Sequence, residues 1–252
     1  PLVISPRGEF AEASFRIKLI KKYLFVKLVK IFRIYSTPLW QVSSKFEMKD
    51  LERIMAINKS YIKIAEDLPT QGSRFNHKHT ESALSETQLK IIFLSRISRE
   101  KNLETAIEIL SKVDSNIQFN IYGNIESKTY WQKCKKMIDL LPKNIEVKYS
   151  GVVEPSEVLK VFSKYDLFLF PTGGENFGHV IAESLLAGTK VLLSKNTPWL
   201  NLERDKLGWD IDLADLDSYV LKINKMSLKK LSERLEDRKI VKEMVHKRLS
   251  NP

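Results

Sequence analysis

The chain has a single cysteine, Cys134, so no disulfide can close within it. A lone thiol suits a reducing compartment, and Cys134, with no ligand cluster around it, reads as an ordinary helix residue. The histidines offer no zinc spacing: His77 and His79 flank a lysine in a polar stretch, and His179 and His246 stand alone. Long apolar runs are also missing. Between Phe15 and Tyr35 the longest uncharged run is the four residues Tyr23 to Val26. Nowhere does the chain offer the ~20 apolar residues that a membrane-spanning helix requires. The first residue is proline, and PLVISPRGEF has the character of neither a signal nor a transit peptide. The expectation is a chain that begins partway through a longer protein.

What is present fits a globular protein. The 252 residues are 43% hydrophobic and 29% charged, enough for a packed core. A net charge of +11 favours anionic partners. No nucleic-acid recognition module accompanies it, so nucleic acid is not an expected partner. Acidic lipid and phosphorylated small molecules remain.

The basic residues are uneven. From Phe15 to Tyr35 the chain carries Arg16, Lys18, Lys21, Lys22, Lys27, Lys30 and Arg33, and no acid. On a helix at about 100° per residue, Ile17, Ile20, Leu24, Leu28, Ile31 and Tyr35 form one stripe. The stripe is expected to pack on the rest of its domain. The basic remainder, interleaved with Phe25, Val26 and Phe32, is expected to touch an anionic membrane surface. PLWQVSS then reads as a short strand, SKFEMKDLERIMAI as a helix and YIKIAED as another strand.

The sequence divides into a first domain over 1–67, a polar linker over 68–87, a main domain over 88–213 and charged helices over 214–252. In the main domain, near-continuous apolar strands alternate with helices: LKIIFLS, IQFNIYG, IEVKYSG, DLFLFP, TKVLLS and GWDIDL are the strands. That alternation predicts an α/β, Rossmann-like, doubly wound parallel sheet, whose ligands bind at the carboxyl ends of the strands. Seven of the nine glycines lie between Gly123 and Gly208, mostly at those ends.

Two constellations stand there. SRISREKN follows the first strand of the sheet and places Arg96 and Lys101 around a strand-to-helix turn. Arginine supplies a planar fork and lysine a mobile point charge, a pair suited to a diphosphate. PTGGENFGHVIAESLLAG follows DLFLF, with Glu175 and Glu183 separated by seven residues. Gly173 and Gly174 precede the first acid, and Gly178 is expected in the first turn of the helix, where free N–H groups favour an anion or hydroxyl oxygens. Glu183 is expected on the second turn, where a carboxylate can accept two hydrogen bonds from a vicinal diol. Ala182, Ala187 and Gly188 keep that helix close to the sheet.

The acid pair, the Arg96–Lys101 turn and the loops IYGNIES, KYSGVV and TPWLNLERDKLGWDIDL resemble the retaining GT-B glycosyltransferases of family 4, the group 1 type. VISPRGEF is similar to the end of that family's N-terminal domain, so residues 1–67 resemble only a partial N-terminal domain. The resemblance implies transfer of a sugar from a UDP- or GDP-sugar, with retention, to a saccharide or lipid-linked acceptor in cell-surface polysaccharide or glycoconjugate synthesis. It implies that Arg96 and Lys101 hold the pyrophosphate and that Glu183 binds the ribose hydroxyls. Glu175, with the amides of Asn176, Phe177 and Gly178, would contact the donor sugar, and Gly151 and Val152 would approach the base. No metal or other cofactor is implied. Ser95 and Lys195 depart from the family pattern, and its glycine-rich loop and catalytic histidine are not in these residues. The expectation is an enzyme inactive as this fragment alone, or else a non-catalytic nucleotide-sugar-binding subunit whose partner supplies the N-terminal half. A cytoplasmic location is expected, with peripheral contact to the inner face of the cell membrane.

Overall fold

A computed structural model describes residues 2–10, 19–32, 34, 38–65 and 84–250. The histidines of the linker and both ends of the basic segment, including Ile17 and Tyr35, lie outside the described residues. The chain forms two compact units. The smaller comprises 1–71 with the short segments Gly174–Gly178 and Asn196–Pro198, and the larger comprises the remainder.

In the smaller unit, β1 (Val3–Ile4), β2 (Leu39–Val42) and β3 (Ile62–Ile64) form a parallel sheet in that order. Helix α1 (Leu19–Ile31) joins β1 to β2, and α2 (Lys45–Met55) leads towards β3. Ser44 caps α2 by accepting from the Glu47 amide at 3.2 Å. The core is Val26, Val29, Trp40, Val42, Leu51, Met55 and Ile62.

That core corrects the expected packing of α1. Ile20, Leu24, Leu28 and Ile31 are exposed, at 75%, 53%, 51% and 62%, whereas Val26 and Val29 are buried. The physical reason is that apolar residues surround this helix, so periodicity alone did not select a face. Two small β-branched side chains one turn apart allow a closer approach than a row of leucines and isoleucines. On this helix Lys30 Nζ also donates to the Ile54 carbonyl at 2.9 Å.

The larger unit is the expected doubly wound sheet. Its strands are β4 (Leu89–Leu94), β5 (Ile117–Tyr122), β6 (Ile145–Tyr149), β7 (Leu167–Phe170), β8 (Lys190–Ser194) and β9 (Gly208–Ile211). They are all parallel, in the order β6-β5-β4-β7-β8-β9. The connections include α3 (Leu103–Leu110), α4 (Lys128–Ile138), α5 (Val158–Phe162) and α6 (His179–Leu186), and α7 (Leu216–Ser227) and α8 (Leu231–Ser250) follow. Every residue of β7 is buried, as a strand covered on both faces must be. Cys134 is an interior residue of α4; burial pushes its thiol up to about 11, so it stays protonated and inert.

The terminal helices pack into this same core through Tyr219, Ile223, Met226, Val241 and Val245. A buried ion pair fastens α8 to the sheet: Arg234 Nη1 lies 2.8 Å from Asp166 Oδ2, with side chains 4% and 0% exposed. The same Asp166 oxygen accepts from the Lys90 amide at 2.9 Å, and Arg234 donates to the Ser85 carbonyl. One turn on, Arg238 donates to the carbonyls of Tyr165, Ser163 and Ala187 at 2.6, 2.8 and 3.1 Å. Burial raises the Asp166 pKa, and the Arg234 charge opposes that rise.

Replacing Arg234 by methionine leaves an unpaired carboxylate in the interior and is expected to lower stability by about 3–5 kcal/mol in urea unfolding. Adding Asp166→Asn should recover part of the loss, since the stranded charge is then gone. A methionine variant as stable as wild type would show that the pair does not hold the helix.

Candidate functional site

β4 and β7 are neighbours at the centre of the sheet, although two strands separate them in sequence. From β4 the chain builds outward through β5 and β6, then returns at β7 to build the other half. Loops leaving β4 and β7 therefore diverge, and such a point is where parallel sheets open a ligand crevice.

The two loops are stitched together. The Gly173 amide donates to the Glu100 carbonyl at 2.7 Å, and Thr172 Oγ1 donates to the same oxygen at 3.2 Å. Asn102 Nδ2 donates to the Pro171 carbonyl at 2.9 Å. Asn102 itself has φ 60, a left-handed conformation that asparagine tolerates better than most residues. Ser194, at the end of β8, donates to the Thr172 carbonyl at 2.6 Å. This scaffold positions Lys101. Its side chain is 8% exposed, with Nζ 3.6 Å from Glu100 Oε1 and 6.0 Å from the centroid of the Phe170 ring.

Arg96 differs. It is 57% exposed and pairs with Glu126 at 3.1 Å. The expected cationic pair is thus one sheltered lysine and one exposed arginine with a neighbouring carboxylate. Glu126 was not singled out by sequence reasoning: it follows β5, and only the parallel bridge between Ile97 and Ile125 brings the two loops together.

The exits of β4, β5 and β6 also lie in contact. The Gly123 amide donates to the Gly151 carbonyl at 2.8 Å. Gly123 has φ 137, and a Cβ there would lie 1.8 Å from the Ser95 carbonyl oxygen, so glycine is required. Around Gly151 there is open space, and Val152 is 68% exposed.

Glu183 lies on the second turn of α6, as expected, and is half-buried. Desolvation by burial raises its pKa. Among the described residues no hydrogen bond or ion pair engages its carboxylate. A sheltered carboxylate without a partner carries a desolvation penalty that a ligand hydroxyl can offset. Ala182, Ala187 and Gly188 are buried beside it.

Glu175, Asn176, Phe177 and Gly178 belong to the segment grouped with the smaller unit. The Glu175 amide donates to the Asn196 carbonyl at 3.0 Å, and Glu175 Oε1 accepts from the Asn176 amide at 3.2 Å. Gly178 corrects the expected helix start. It has φ 79 and precedes α6, which opens at His179. A left-handed residue cannot continue a right-handed helix, so Gly178 turns the chain into the helix from outside.

Residues 75–243 match the glycosyl transferases group 1 family, and the chain belongs to that family. It is 28% identical over 120 residues to the alpha-monoglucosyldiacylglycerol synthase of Streptococcus pneumoniae, covering 46% of this chain and 26% of that one. It is 27% identical over 116 residues to an uncharacterized 41.2 kDa protein in the cps region of Klebsiella pneumoniae, covering 46% and 30%. The chain therefore spans less than a third of the length of either relative. Among solved structures, it resembles WaaG, a glycosyltransferase involved in lipopolysaccharide biosynthesis, with a TM-score of 0.63 at 14% identity over 83% of this chain and 58% of that one. It resembles HepE of Anabaena, solved with UDP-glucose, with a TM-score of 0.64 at 13% identity over 100% of this chain and 72% of that one. These likenesses define the fold as GT-B.

Glu183→Gln is expected to raise the melting temperature of the unliganded protein near neutral pH. The folded-state pKa of Glu183 lies above its unfolded value of 4.5, so its charged form opposes folding at any pH well above that. The gain from glutamine should be larger at neutral pH and should fade as pH falls towards about 4.5. Thermal melts at both values check it, and a variant that melts lower at neutral pH would show the carboxylate to be paired.

Proposed function

We propose that the larger unit binds the nucleotide-sugar donor of a sugar-transfer reaction that proceeds with retention, the acceptor being a saccharide or lipid-linked sugar. The observation that carries this reading is the unpartnered, half-buried carboxylate of Glu183, on the helix that follows the switch-point strand. A ribose diol offers two donors to such a carboxylate, and the desolvated oxygens gain most from accepting them.

The other roles follow from charge and position. Lys101, held at the ends of β4 and β7, meets the diphosphate as a sheltered cation whose attraction is little screened. Arg96 completes that contact by exchanging Glu126 for phosphate oxygens. Gly151 and Val152 leave open space for a base. Glu175 and the amides of Asn176, Phe177 and Gly178 engage the transferred sugar. A metal has no part in this scheme, because the two cations balance the diphosphate. UDP- and GDP-sugars both fit it.

Peripheral contact with an anionic membrane belongs to the same proposal. Along α1, Ile20, Leu24, Phe25 and Leu28 are exposed beside Lys21 and Lys27, and the helix has no acid. Among the described residues no helix is long and apolar enough to cross a membrane, so insertion would be limited to the interface. Each lysine near an anionic surface contributes about 1 kcal/mol.

Calorimetry, turnover and vesicle flotation test these assignments. Replacing both Arg96 and Lys101 by alanine should weaken binding of UDP or GDP in calorimetry by about 3 kcal/mol or more, at 1.5–3 kcal/mol per charge-assisted contact. In the same assay Glu183→Gln should weaken free-nucleotide binding while Glu175→Gln leaves it nearly intact and lowers turnover in the full-length protein; the reverse pattern overturns the assignment. For the membrane, flotation should depend on acidic lipid at low salt and be lost with Lys21→Glu and Lys27→Glu, and equal flotation on neutral vesicles counts against it.

A further inference from the structure

At the amino ends of β8 and β9 the larger unit has a cavity of about 180 Å³. Lys190 opens β8, and Trp209 is the second residue of β9. Their side chains share one face of the sheet, because Leu192 registers with Trp209 and strands alternate with period two. Glu203 and Lys206 reach the cavity from the segment before β9, and Asp237 and Ile240 from α8. The volume far exceeds the ~30 Å³ share of one water, so the cavity has room for a small organic molecule.

Its charges do not balance. Asp237 serves two lysines: Oδ1 lies 3.0 Å from Lys190 Nζ, and Oδ2 lies 2.6 Å from Lys229 Nζ. Glu203 serves two donors through Oε1, which accepts from Lys222 Nζ at 2.6 Å and from Trp209 Nε1 at 2.9 Å. The Lys206 ammonium makes no ion pair or hydrogen bond among the described residues. Lys190, Lys206, Lys222 and Lys229 therefore face Glu203 and Asp237, a surplus of two positive charges. Lys190 is also sheltered, its side chain 13% exposed. Burial lowers its pKa, Asp237 opposes that, and the Lys229 charge adds to it.

Such a cavity suits an anion rather than a cation, since each carboxylate already serves two donors. An acceptor brought to Lys190 and Lys206 gains from charge that the protein leaves uncompensated, and shelter weakens its screening by salt. Lys206 itself stands at φ 58, a left-handed position that a long side chain ordinarily avoids. Strain of this kind gathers at functional sites. The Trp209 ring, 5.7 Å from Lys190 Nζ at its centroid, and Ile240 give the cavity an apolar wall.

We propose that this cavity binds a small molecule bearing a phosphate group, which Lys190 and Lys206 hold. The group has two sources, a phosphate ester or free inorganic phosphate, and the apolar wall favours the ester. The site is separate from the donor residues. Lys190 begins β8, whereas Ser194 at its other end joins the scaffold beneath Lys101 by donating to the Thr172 carbonyl. A nucleotide and the phosphate compound are thus bound together, not in competition, and the inference does not depend on the donor reading.

Calorimetry on the full chain with glucose 6-phosphate, inorganic phosphate and glucose tests this. Glucose 6-phosphate should bind and glucose should not. Tighter binding of the ester than of inorganic phosphate assigns the wall to its organic body, and equal binding assigns the site to free phosphate. Lys206→Gly removes the strain and the ammonium together, so it should raise the melting temperature while weakening phosphate binding tenfold or more. Lys190→Gln should weaken it as much, and Lys229 still pairs with Asp237 in that variant, so no carboxylate is stranded. Lys239→Gln, at an exposed lysine outside the cavity, should change nothing, and neither should saturating UDP. Wild-type protein that binds neither phosphate compound at millimolar concentration overturns the proposal. Affinity unchanged in both the Lys190 and Lys206 variants overturns it too. So does binding that UDP displaces and that the double alanine variant of Arg96 and Lys101 loses, for the phosphate then occupies the donor site.

Discussion

The lateral pairing of β4 with β7 is the constraint on which the larger unit depends. Ile91 and Ile92 register with Leu167 and Phe168, and the chain reaches this pairing only after completing half of the sheet. Every later strand is placed by it, since β8 pairs with β7 and β9 with β8. It also fixes where chemistry can occur. The loops after β4 and β7 start from one point and are tied by the bonds that converge on the Glu100 and Pro171 carbonyls. Without that pairing Lys101 would be an ordinary surface lysine rather than a sheltered cation against Phe170.

The opposite end of the sheet is secured by charge. Asp166 immediately precedes β7, and its carboxylate meets Arg234 and the Lys90 amide together. Burying two charges is unfavourable unless each is compensated; here each offsets the other, with the Lys90 amide on Asp166 and the Ser85 carbonyl on Arg234, and Arg238 one turn on is held by three carbonyls of its own. Carboxylates at the two ends of β7's neighbourhood thus have contrasting fates. Asp166 is buried and paired, as structural charge must be. Glu183 is half-buried and unpaired, an arrangement that makes sense where a ligand supplies the missing donors.

The smaller unit repeats the theme with Glu47. This buried carboxylate accepts from the amides of Gly8 and Ser43, far apart in sequence, and holds a turn in which Arg7 has φ 46, a conformation arginine disfavours. The basic helix α1 is the less constrained part of this unit. It commits only two valines to the core and leaves its larger apolar side chains exposed.

Much of the fold was legible in the sequence, for a simple reason. Strands buried on both faces read as apolar runs such as DLFLF, and parallel connections demand helices between them, so the doubly wound sheet follows from local pattern. The spacing of Glu175 and Glu183, the strand-to-helix turn at Arg96 and Lys101, and the alternation of elements were likewise local properties. The family matched over residues 75–243 agrees with the doubly wound fold. Other features depended on which residues meet across long sequence distances. The face of α1 that is buried, the pairing of Arg96 with Glu126, the left-handed Gly178 before α6 and the grip of Glu47 on Gly8 are tertiary facts. Periodicity names an apolar face only when one face is apolar, and α1 has apolar residues all round. Whether a charge is paired, sheltered or alone depends on its neighbours in space, and only the folded chain brought those neighbours together.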